Sequence, residues 1–334
     1  MNSNPITRRA HLRQWAQLGV AALGAAPMGA ALAQAYPSKP VRWIVPYGAG
    51  GGTDTASRTI AKYWEPLLGS GFVIDNKPGG HTVIGTQALV AAPADGYTIA
   101  SIVDNFPILP LLVKKLPFDV ERNFAFVSTT VKVPFLLLVR PESPIRSLKD
   151  ALGAMRAAKG GMNYGSYGIG SAAHLAMEAL LDQTGESMQH IPYLGAAASM
   201  TALLSNQVDI LFVDSATGAP FVQSGKARAI AISLQERHPA FPNVPSVHEQ
   251  GVPGFNQYSW QGVIVRHDTP AAVLQKISDT LHEALRSPEV KKDFAARGYD
   301  VFASTPEEFR QHIVSSGAAM RSLVSRRKLQ LVSE

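Results

Sequence analysis

The sequence predicts an α/β fold with two lobes, each a mostly parallel sheet flanked by helices, and two hinge strands between them. Three stretches share one order of apolar strand, small-residue turn and helix: VRWIVPYGAGGGTDTASRTIAKYW, MNYGSYGIGSAAHLAMEALL and HIPYLGAAASMTALLSNQ. Other short apolar strands, such as YTIASIV, VDILFV and ARAIAIS, lie between helical patterns. Alternation of this kind is typical of parallel sheets covered by helices.

Two extended apolar runs mark the predicted crossings between the lobes. They are VPFLLLVRPESP at 133–144 and YSWQGVIVRHDTP at 258–270, the second of which precedes a clear helix. We therefore predict that residues 36–135 and 258–334 form lobe 1 and that residues 136–257 form lobe 2. A cleft follows between them, and ligands of open α/β sheets bind beyond the carboxyl ends of the strands.

The first 35 residues have the pattern of an export signal peptide. Arg8 and Arg9 precede a Gly- and Ala-rich apolar stretch, and the sequence AQA at 33–35 is typical of a cleavage site. The paired arginines favour the twin-arginine route, and we expect a periplasmic mature chain that begins near Tyr36. A membrane anchor is the alternative, but Pro27 and the many small residues would make a poor span.

The charge balance argues against a nucleic-acid partner. The chain has 334 residues and a formal net charge of +6, with 31 Lys and Arg against 25 Asp and Glu. Three arginines and no acid lie in the first 35 residues, so the remainder has 28 basic and 25 acidic residues, a net charge of +3. That excess is too small for a basic nucleic-acid surface. The absence of cysteine excludes disulfides and thiol chemistry.

Sequence signals of common enzyme classes are missing. After the glycines of VPYGAGGG, Thr53 and Asp54 stand where a phosphate-binding loop needs Lys followed by Ser or Thr. GIGSAA at 168–173 matches only the loose dinucleotide pattern, and the following strand lacks the required acid. Neither Ser166 nor Ser171 lies in G-x-S-x-G, and the nine histidines form no metal-binding pair. We therefore expect no cofactor and no metal.

The Gly-rich turns are well suited to binding a carboxylate. Each precedes a helix whose first N–H groups have no partner within the helix, and the helix dipole favours negative charge there. Glycine also lets a ligand approach the backbone closely. Two such helix N-termini on opposite sides of a cleft would hold a small acid with two carboxylates, or with one carboxylate and a second polar end. The alternative, that the glycines only form tight turns, is less favoured because three loops share the pattern.

Seven stretches resemble the Bug-type solute-binding proteins of tripartite tricarboxylate transporters. They follow the family's order over nearly all of residues 36–310 and are VPYGAGGGTDTASR, VIDNKPGGHTVIGTQALVAAPADGYTI, KLPFDVERNFAFVS, NYGSYGIGSAAHLAMEAL, HIPYLGAAASMTALLSNQVDILFVD, GKARAIAIS and PSVHEQGVPGF. The resemblance implies a two-lobed periplasmic-binding-protein fold that closes on a small organic carboxylate without catalysing a reaction. It also implies delivery to an integral-membrane permease, and we expect a monomer. A ligand-sensing subunit for a membrane sensor kinase and an exported enzyme acting on a small carboxylate are the alternatives.

The resemblance further implies which residues contact the ligand. In lobe 1 they lie in the first Gly-rich loop and in the turn at 79–82, and in lobe 2 in the loops that open the second and third helices. Three places depart from the family's usual sequence: Ala49, the run at 81–83 and the run at 104–106. Ligand identity is therefore the least transferable property. The predicted ligand-binding residues are Tyr47, Gly48, Gly50, Gly51, Gly52, Thr53, Asp54, His81, Thr82, Asn105, Ser166, Gly170, Ser171, Gly195, Ala196 and Asp214.

Five other side chains were assigned by their surroundings in the sequence. Val83 and Phe106 favour an aliphatic or aromatic spacer between the two acidic groups of the ligand. His174 is predicted to be a packed or capping residue, and Trp260 and Tyr299 are predicted to pack in the core. For Trp260 the alternative is a ring near the cleft that covers an aromatic ligand.

Overall fold

The computed structural model describes residues 36–331. By its internal contacts the chain divides into residues 1–38 and 39–334, and the architecture below is that of the second unit. The predicted export signal, residues 1–35, lies outside the described residues. Within residues 36–331 no helix has both the length and the apolar composition that a membrane span requires.

The strands of the described chain are rich in β-branched and aromatic residues, which fit a pleated, buried surface. β4 is the longest, with 16 residues, and 14 of them are buried. The strands are β1 (Val41–Val45), β2 (Phe72–Asn76), β3 (Thr98–Val103), β4 (Phe124–Val139), β5 (Asn163–Ser166), β6 (Gln189–Pro192), β7 (Ile210–Asp214), β8 (Arg228–Ile232), β9 (Tyr258–Arg266) and β10 (Asp300–Val301).

The strand order is β2-β1-β3-β9-β4-β7-β5-β6, and β8 and β10 pair with β4 off this path. β1 is parallel to β2 and β3, and β5 is parallel to β6 and β7. These parallel pairs are joined through helices, as crossover connections require. β9 is antiparallel to β3 and β4, and β4 is antiparallel to β7 and β8. The predicted α/β class is confirmed, and the antiparallel pairs are confined to the centre.

Helices cover the sheet and begin and end at residues that suit helix ends. Thr305 and Glu308 form a capping box at the start of the last helix, and Gly69 in the left-handed conformation ends the first. The helices are α1 (Gly52–Leu68), α2 (Val83–Val90), α3 (Leu109–Leu112), α4 (Leu148–Ala158), α5 (Ala172–Thr184), α6 (Ala196–Leu204), α7 (Ser215–Gln223), α8 (Ala271–Arg286), α9 (Pro288–Ala295) and α10 (Pro306–Arg327).

β4 connects two groups of strands. The first group consists of β1, β2, β3 and β9, and the second consists of β5, β6, β7 and β8. Its first part, from Phe124 to Pro134, pairs with β9, and its last part, from Phe135 onward, pairs with β7 and β8. The buried Ser233 directly follows β8. Its amide donates to the Phe135 carbonyl over 2.9 Å, and its carbonyl accepts from the Gln257 amide over 2.7 Å. Ser233 therefore connects the first predicted hinge segment to the residue that immediately precedes the second.

The C-terminal helix α10 contacts both groups of strands. Phe309, near its start, packs edge-on against Phe126 and Trp260 beside β4 and β9. Near its end, Arg327 donates to Glu178 of α5 over 2.8 Å. Part of the predicted lobe 1 sequence therefore also packs on the predicted lobe 2. The lobe boundaries at 135 and 258 stay a prediction.

Candidate functional site

A cavity of about 1250 Å³ lies at the carboxyl ends of the strands. Asp104, Tyr167 and Tyr193 line it, and they are the first residues after β3, β5 and β6. This is the position at which open α/β sheets bind ligands. The predicted contact residues that line the cavity are Tyr47, Gly50, Gly52, Thr53, His81, Thr82, Asn105, Gly170, Ser171, Gly195, Ala196 and Asp214.

Four predicted contacts do not line the cavity: Gly48, Gly51, Asp54 and Ser166. Gly48 and Gly51 are exposed, and the Gly51 amide donates back to the Gly48 carbonyl over 3.3 Å. The Ser166 side chain is fully buried, and its Oγ lies 2.6 Å from Nε2 of His190. A ligand contact at these four residues stays a prediction, and within the structure the hydrogen bonds of Gly51 and Ser166 connect parts of the surrounding loops.

Asp54 fixes the shape of the first Gly-rich loop. Its carboxylate accepts hydrogen bonds of 2.9 Å each from the Gly50 amide, the Arg58 guanidinium and the Asn76 side-chain amide. Burial alone would raise the pKa of the Asp54 carboxyl, but these three hydrogen bonds lower it. The carboxylate thus stays charged and fixes the conformation of the loop. Because the Gly50 N–H donates to Asp54, it is not free to bind a ligand.

Helix α1 begins at the cavity without a side-chain cap. Its N-cap residue, Gly51, has an extended backbone (φ −71°, ψ 168°) and no side chain that could accept a hydrogen bond. The first amide with a carbonyl partner is that of Thr55, which donates to Gly51 over 2.9 Å. The preceding amides, those of Gly52, Thr53 and Asp54, have no acceptor among the described residues. They carry the positive end of the helix dipole.

Helix α6 also begins at the cavity without a cap. Gly195 is its N-cap residue and has a φ of 93°, a conformation that favours glycine. The first amide bonded along the helix is that of Ser199, which donates to the Gly195 carbonyl over 3.3 Å. The amides of the three alanines at 196–198 have no acceptor within residues 36–331. α1 and α6 therefore present free donors to one cavity.

Two other helices at the cavity, α5 and α7, are capped by the side chains of their N-cap residues. Ser171 Oγ accepts the His174 amide of α5 over 3.3 Å, and Asp214 Oδ1 accepts the Thr217 amide of α7 over 2.8 Å. The second oxygen of Asp214 accepts from the Tyr167 hydroxyl over 3.0 Å. Two predicted contacts, Ser171 and Asp214, thus already satisfy helix N-termini. The Ser171 O–H is still able to donate.

A stacked pair of histidines packs next to the loop that joins β5 to α5. The rings of His174 and His190 are parallel within 11° with centroids 4.0 Å apart, and Tyr164 stacks on His190 at 4.9 Å. Burial lowers the pKa of both histidines to about 4. The Gly170 amide donates to Nδ1 of His174 over 3.1 Å, so His174 is neutral, as expected for a packed residue. The Gly170 N–H is therefore not free for a ligand.

Several cavity residues were not predicted from the sequence. Tyr167 and Asp104 could have been found from their position directly after predicted strands. Tyr299 and Trp260, predicted to pack in the core, both line the cavity, although Trp260 is only 3% exposed. Burial raises the pKa of Tyr299 to about 12, with a further contribution from Asp214.

The predicted spacer contacts are not at the cavity. Phe106 is fully buried in a core cluster with Phe124, and Val83 packs against that cluster. No group of three or more His, Cys, Asp or Glu residues in the described part of the chain is placed to hold a metal ion.

The comparisons with known proteins agree with this architecture. The sequence model of the Tripartite tricarboxylate transporter family receptor matches residues 56–329. The chain belongs to this family. Protein BugT of Bordetella pertussis is 31% identical to this chain over 291 residues, which are 86% of this chain and 88% of BugT. A protein encoded in the gbd 5' region of Cupriavidus necator is 30% identical over 307 residues, 92% of this chain and 93% of the relative.

Solved structures of related receptors share the fold. The periplasmic binding protein BugD superimposes with a TM-score of 0.76 at 28% identity, over 89% of this chain and all of BugD. An R. palustris protein with adipate gives a TM-score of 0.79 at 26% identity, over 88% of this chain and 98% of that one. MatC from Rhodopseudomonas palustris with bound malate gives a TM-score of 0.74 at 25% identity, over 86% of this chain and 100% of MatC. The two-lobed periplasmic-binding-protein fold is thereby confirmed.

Proposed function

We propose that this protein is a periplasmic receptor that captures a small organic carboxylate between two lobes and delivers it to an integral-membrane permease. Residues 36–135 with 258–334 form one lobe in this proposal, and residues 136–257 form the other. The receptor binds its ligand without catalysing a reaction and acts as a monomer. Export by residues 1–35 belongs to the same proposal.

The observation that carries the proposal is the pair of uncapped helix N-termini. α1 follows β1 and α6 follows β6, so the two helices belong to different groups of strands. Both nevertheless leave their first amides without acceptors at the same cavity. An anionic group satisfies such amides and interacts favourably with the helix dipole. Two anionic groups of one ligand, one at each helix, would therefore draw the lobes together.

The charges around the cavity favour recognition by hydrogen bonds over recognition by cationic side chains. None of the described residues that line the cavity is a lysine, and the lining arginine, Arg297, is exposed at the rim. Each charge-assisted hydrogen bond contributes about 1.5–3 kcal/mol. At the strong end of this range, six such bonds offset an association cost of about 10 kcal/mol and leave the roughly 8 kcal/mol that micromolar binding requires.

The relatives support a carboxylate as the ligand class. The solved R. palustris proteins named above contain adipate in one case and malate in the other. Both compounds carry two carboxylates, so each could place one carboxylate at the N-terminus of α1 and the other at that of α6. The family description, a receptor of a tripartite transporter, supports the permease as partner.

Thermal unfolding in the presence of a carboxylate panel tests the proposal. The protein is refolded free of ligand and mixed with dicarboxylates, tricarboxylates, aromatic carboxylates and amino acids, with neutral sugars and simple amines as controls. A ligand at about 100 times its dissociation constant should stabilise the protein by about 2.7 kcal/mol. Stabilisation by sugars or amines only would contradict the proposal.

A further inference from the structure

Asp104 is a buried carboxylate in the wall of the cavity. It directly follows β3, and only 7% of its surface is exposed. The Ser259 hydroxyl donates to its carboxylate, and nearby backbone N–H groups, that of Trp260 foremost, favour the charged form and lower its pKa. These donors fix the orientation of the carboxylate but supply no positive charge.

No cation neutralises this carboxylate within the described chain. None of the ion pairs among residues 36–331 includes Asp104. A second acid, Asp214, lines the same cavity. Burial raises the pKa of the Tyr167 hydroxyl, and the negative charges of Asp214 and Asp104 raise it further. A buried charge without a counter-ion is costly, and burial raises the pKa of Asp104 to about 6.

The neighbouring residue supplies a second acceptor without a partner. Asn105 also lines the cavity, and its Nδ2 donates to the His81 carbonyl over 3.4 Å. Its Oδ1 is buried and has no hydrogen-bond partner among the described residues. A carboxylate without a counter-ion and an amide oxygen without a donor therefore lie on consecutive residues of one wall.

We infer that the ligand is an amino dicarboxylate whose ammonium group binds to Asp104 and the Oδ1 of Asn105, while its carboxylates bind to the N-termini of α1 and α6. This inference rests on the proposed function and specifies its ligand class. An ammonium carries three N–H donors and a positive charge, so it satisfies both acceptors and neutralises the buried carboxylate. A dicarboxylate without an amino group leaves Asn105 Oδ1 unpaired and adds negative charge beside Asp104.

Calorimetry with matched ligand pairs tests this inference. Aspartate is compared with succinate, and glutamate with glutarate, because the members of each pair differ only in the amino group. The wild-type protein should bind one amino acid at least 10-fold more tightly than its unsubstituted partner. Asp104→Asn should weaken binding of the amino acid at least 10-fold and leave the unsubstituted dicarboxylate equal or tighter.

Asp268→Asn is the matched control, since it makes the same chemical change in an exposed loop beyond the far end of β9. It should leave all affinities unchanged. Equal or tighter binding of the unsubstituted acid by the wild type, or an unchanged preference in folded Asp104→Asn, overturns the inference while the proposed function stands. Malate bound as tightly as aspartate also overturns it. If no acid of either kind binds the wild type, the proposed function fails as well.

Discussion

Four of the helices that begin at the cavity fall into two contrasting pairs. α1 and α6 begin at glycines, Gly51 and Gly195, and have no side-chain cap. α5 and α7 begin at Ser171 and Asp214, whose side chains accept amides of their own helices. An uncapped N-terminus costs stability in the free protein, because a capping side chain contributes about 0.5–2 kcal/mol. Under the proposed function, the free amides of α1 and α6 are the ones available to the ligand, whereas the first amides of α5 and α7 are already bonded to their caps.

The largest effect is expected from capping α1 with a charged side chain. Gly51→Asp places a carboxylate at a residue whose extended backbone suits an N-cap, and that carboxylate competes with the ligand for the free amides. Loss of two charge-assisted hydrogen bonds corresponds to about 4 kcal/mol, a thousand-fold weaker affinity. Calorimetry with the tightest ligand of the panel measures the change.

Gly51→Ala is the control for this substitution, because it adds a Cβ without an acceptor. The Cβ would lie 3.3 Å from the Gly48 carbonyl oxygen, so only a small adjustment of the loop is needed. The alanine variant should retain affinity within about tenfold, the equivalent of 1.4 kcal/mol. Wild-type affinity in Gly51→Asp would show that the α1 amides do not bind the ligand.

A somewhat smaller effect is expected at the capped helix α5, where His174 should make the free energy of unfolding depend on pH. The folded-state pKa of His174 is about 4, below the ordinary value of 6.5, so the neutral form is stabilised by folding. The corresponding stability is complete above pH 6.5 and is lost as the pH falls toward 4. The shift corresponds to about 3 kcal/mol of unfolding free energy. Denaturant unfolding at pH 7 and pH 4 measures it.

His174→Asn tests the assignment, since its side-chain oxygen is still able to accept the Gly170 amide but does not titrate. The variant should lose about 3 kcal/mol less than the wild type over the same pH range. His190, which stacks on His174 and whose pKa is also lowered by burial, is present in both proteins. Identical pH profiles for the two proteins would contradict the role given to His174.

The smallest effect is expected from removing the α5 cap. Ser171→Ala removes the acceptor of the His174 amide and should lower the free energy of unfolding by about 0.5–2 kcal/mol. Chemical denaturation of the ligand-free protein measures this loss. If the contrast between the two kinds of helix holds, ligand affinity changes far less than in Gly51→Asp. A larger loss of affinity than of stability would place Ser171 among the main ligand donors.

The local pattern of the sequence determined the class of fold and the loops of the site. Alternating apolar strands and helices, with Gly-rich turns between them, predicted where the helix N-termini would lie, because these features depend on residues close in the chain. Twelve of the sixteen predicted contacts, among them Thr53 and Ala196, line the cavity. Family resemblance was needed to choose among the many residues of these loops.

Only the tertiary structure decided which groups at the cavity are free. Asp54 is turned into its own loop by Arg58 and Asn76, and Gly170 donates to a histidine that is held by stacking on His190. Tyr299 reaches the cavity from a segment more than 240 residues after the first loop. Hydrogen-bond partners and burial depend on residues that are distant in the sequence. The local pattern therefore predicts the position of an N–H donor, but not whether that donor already has an acceptor in another part of the chain.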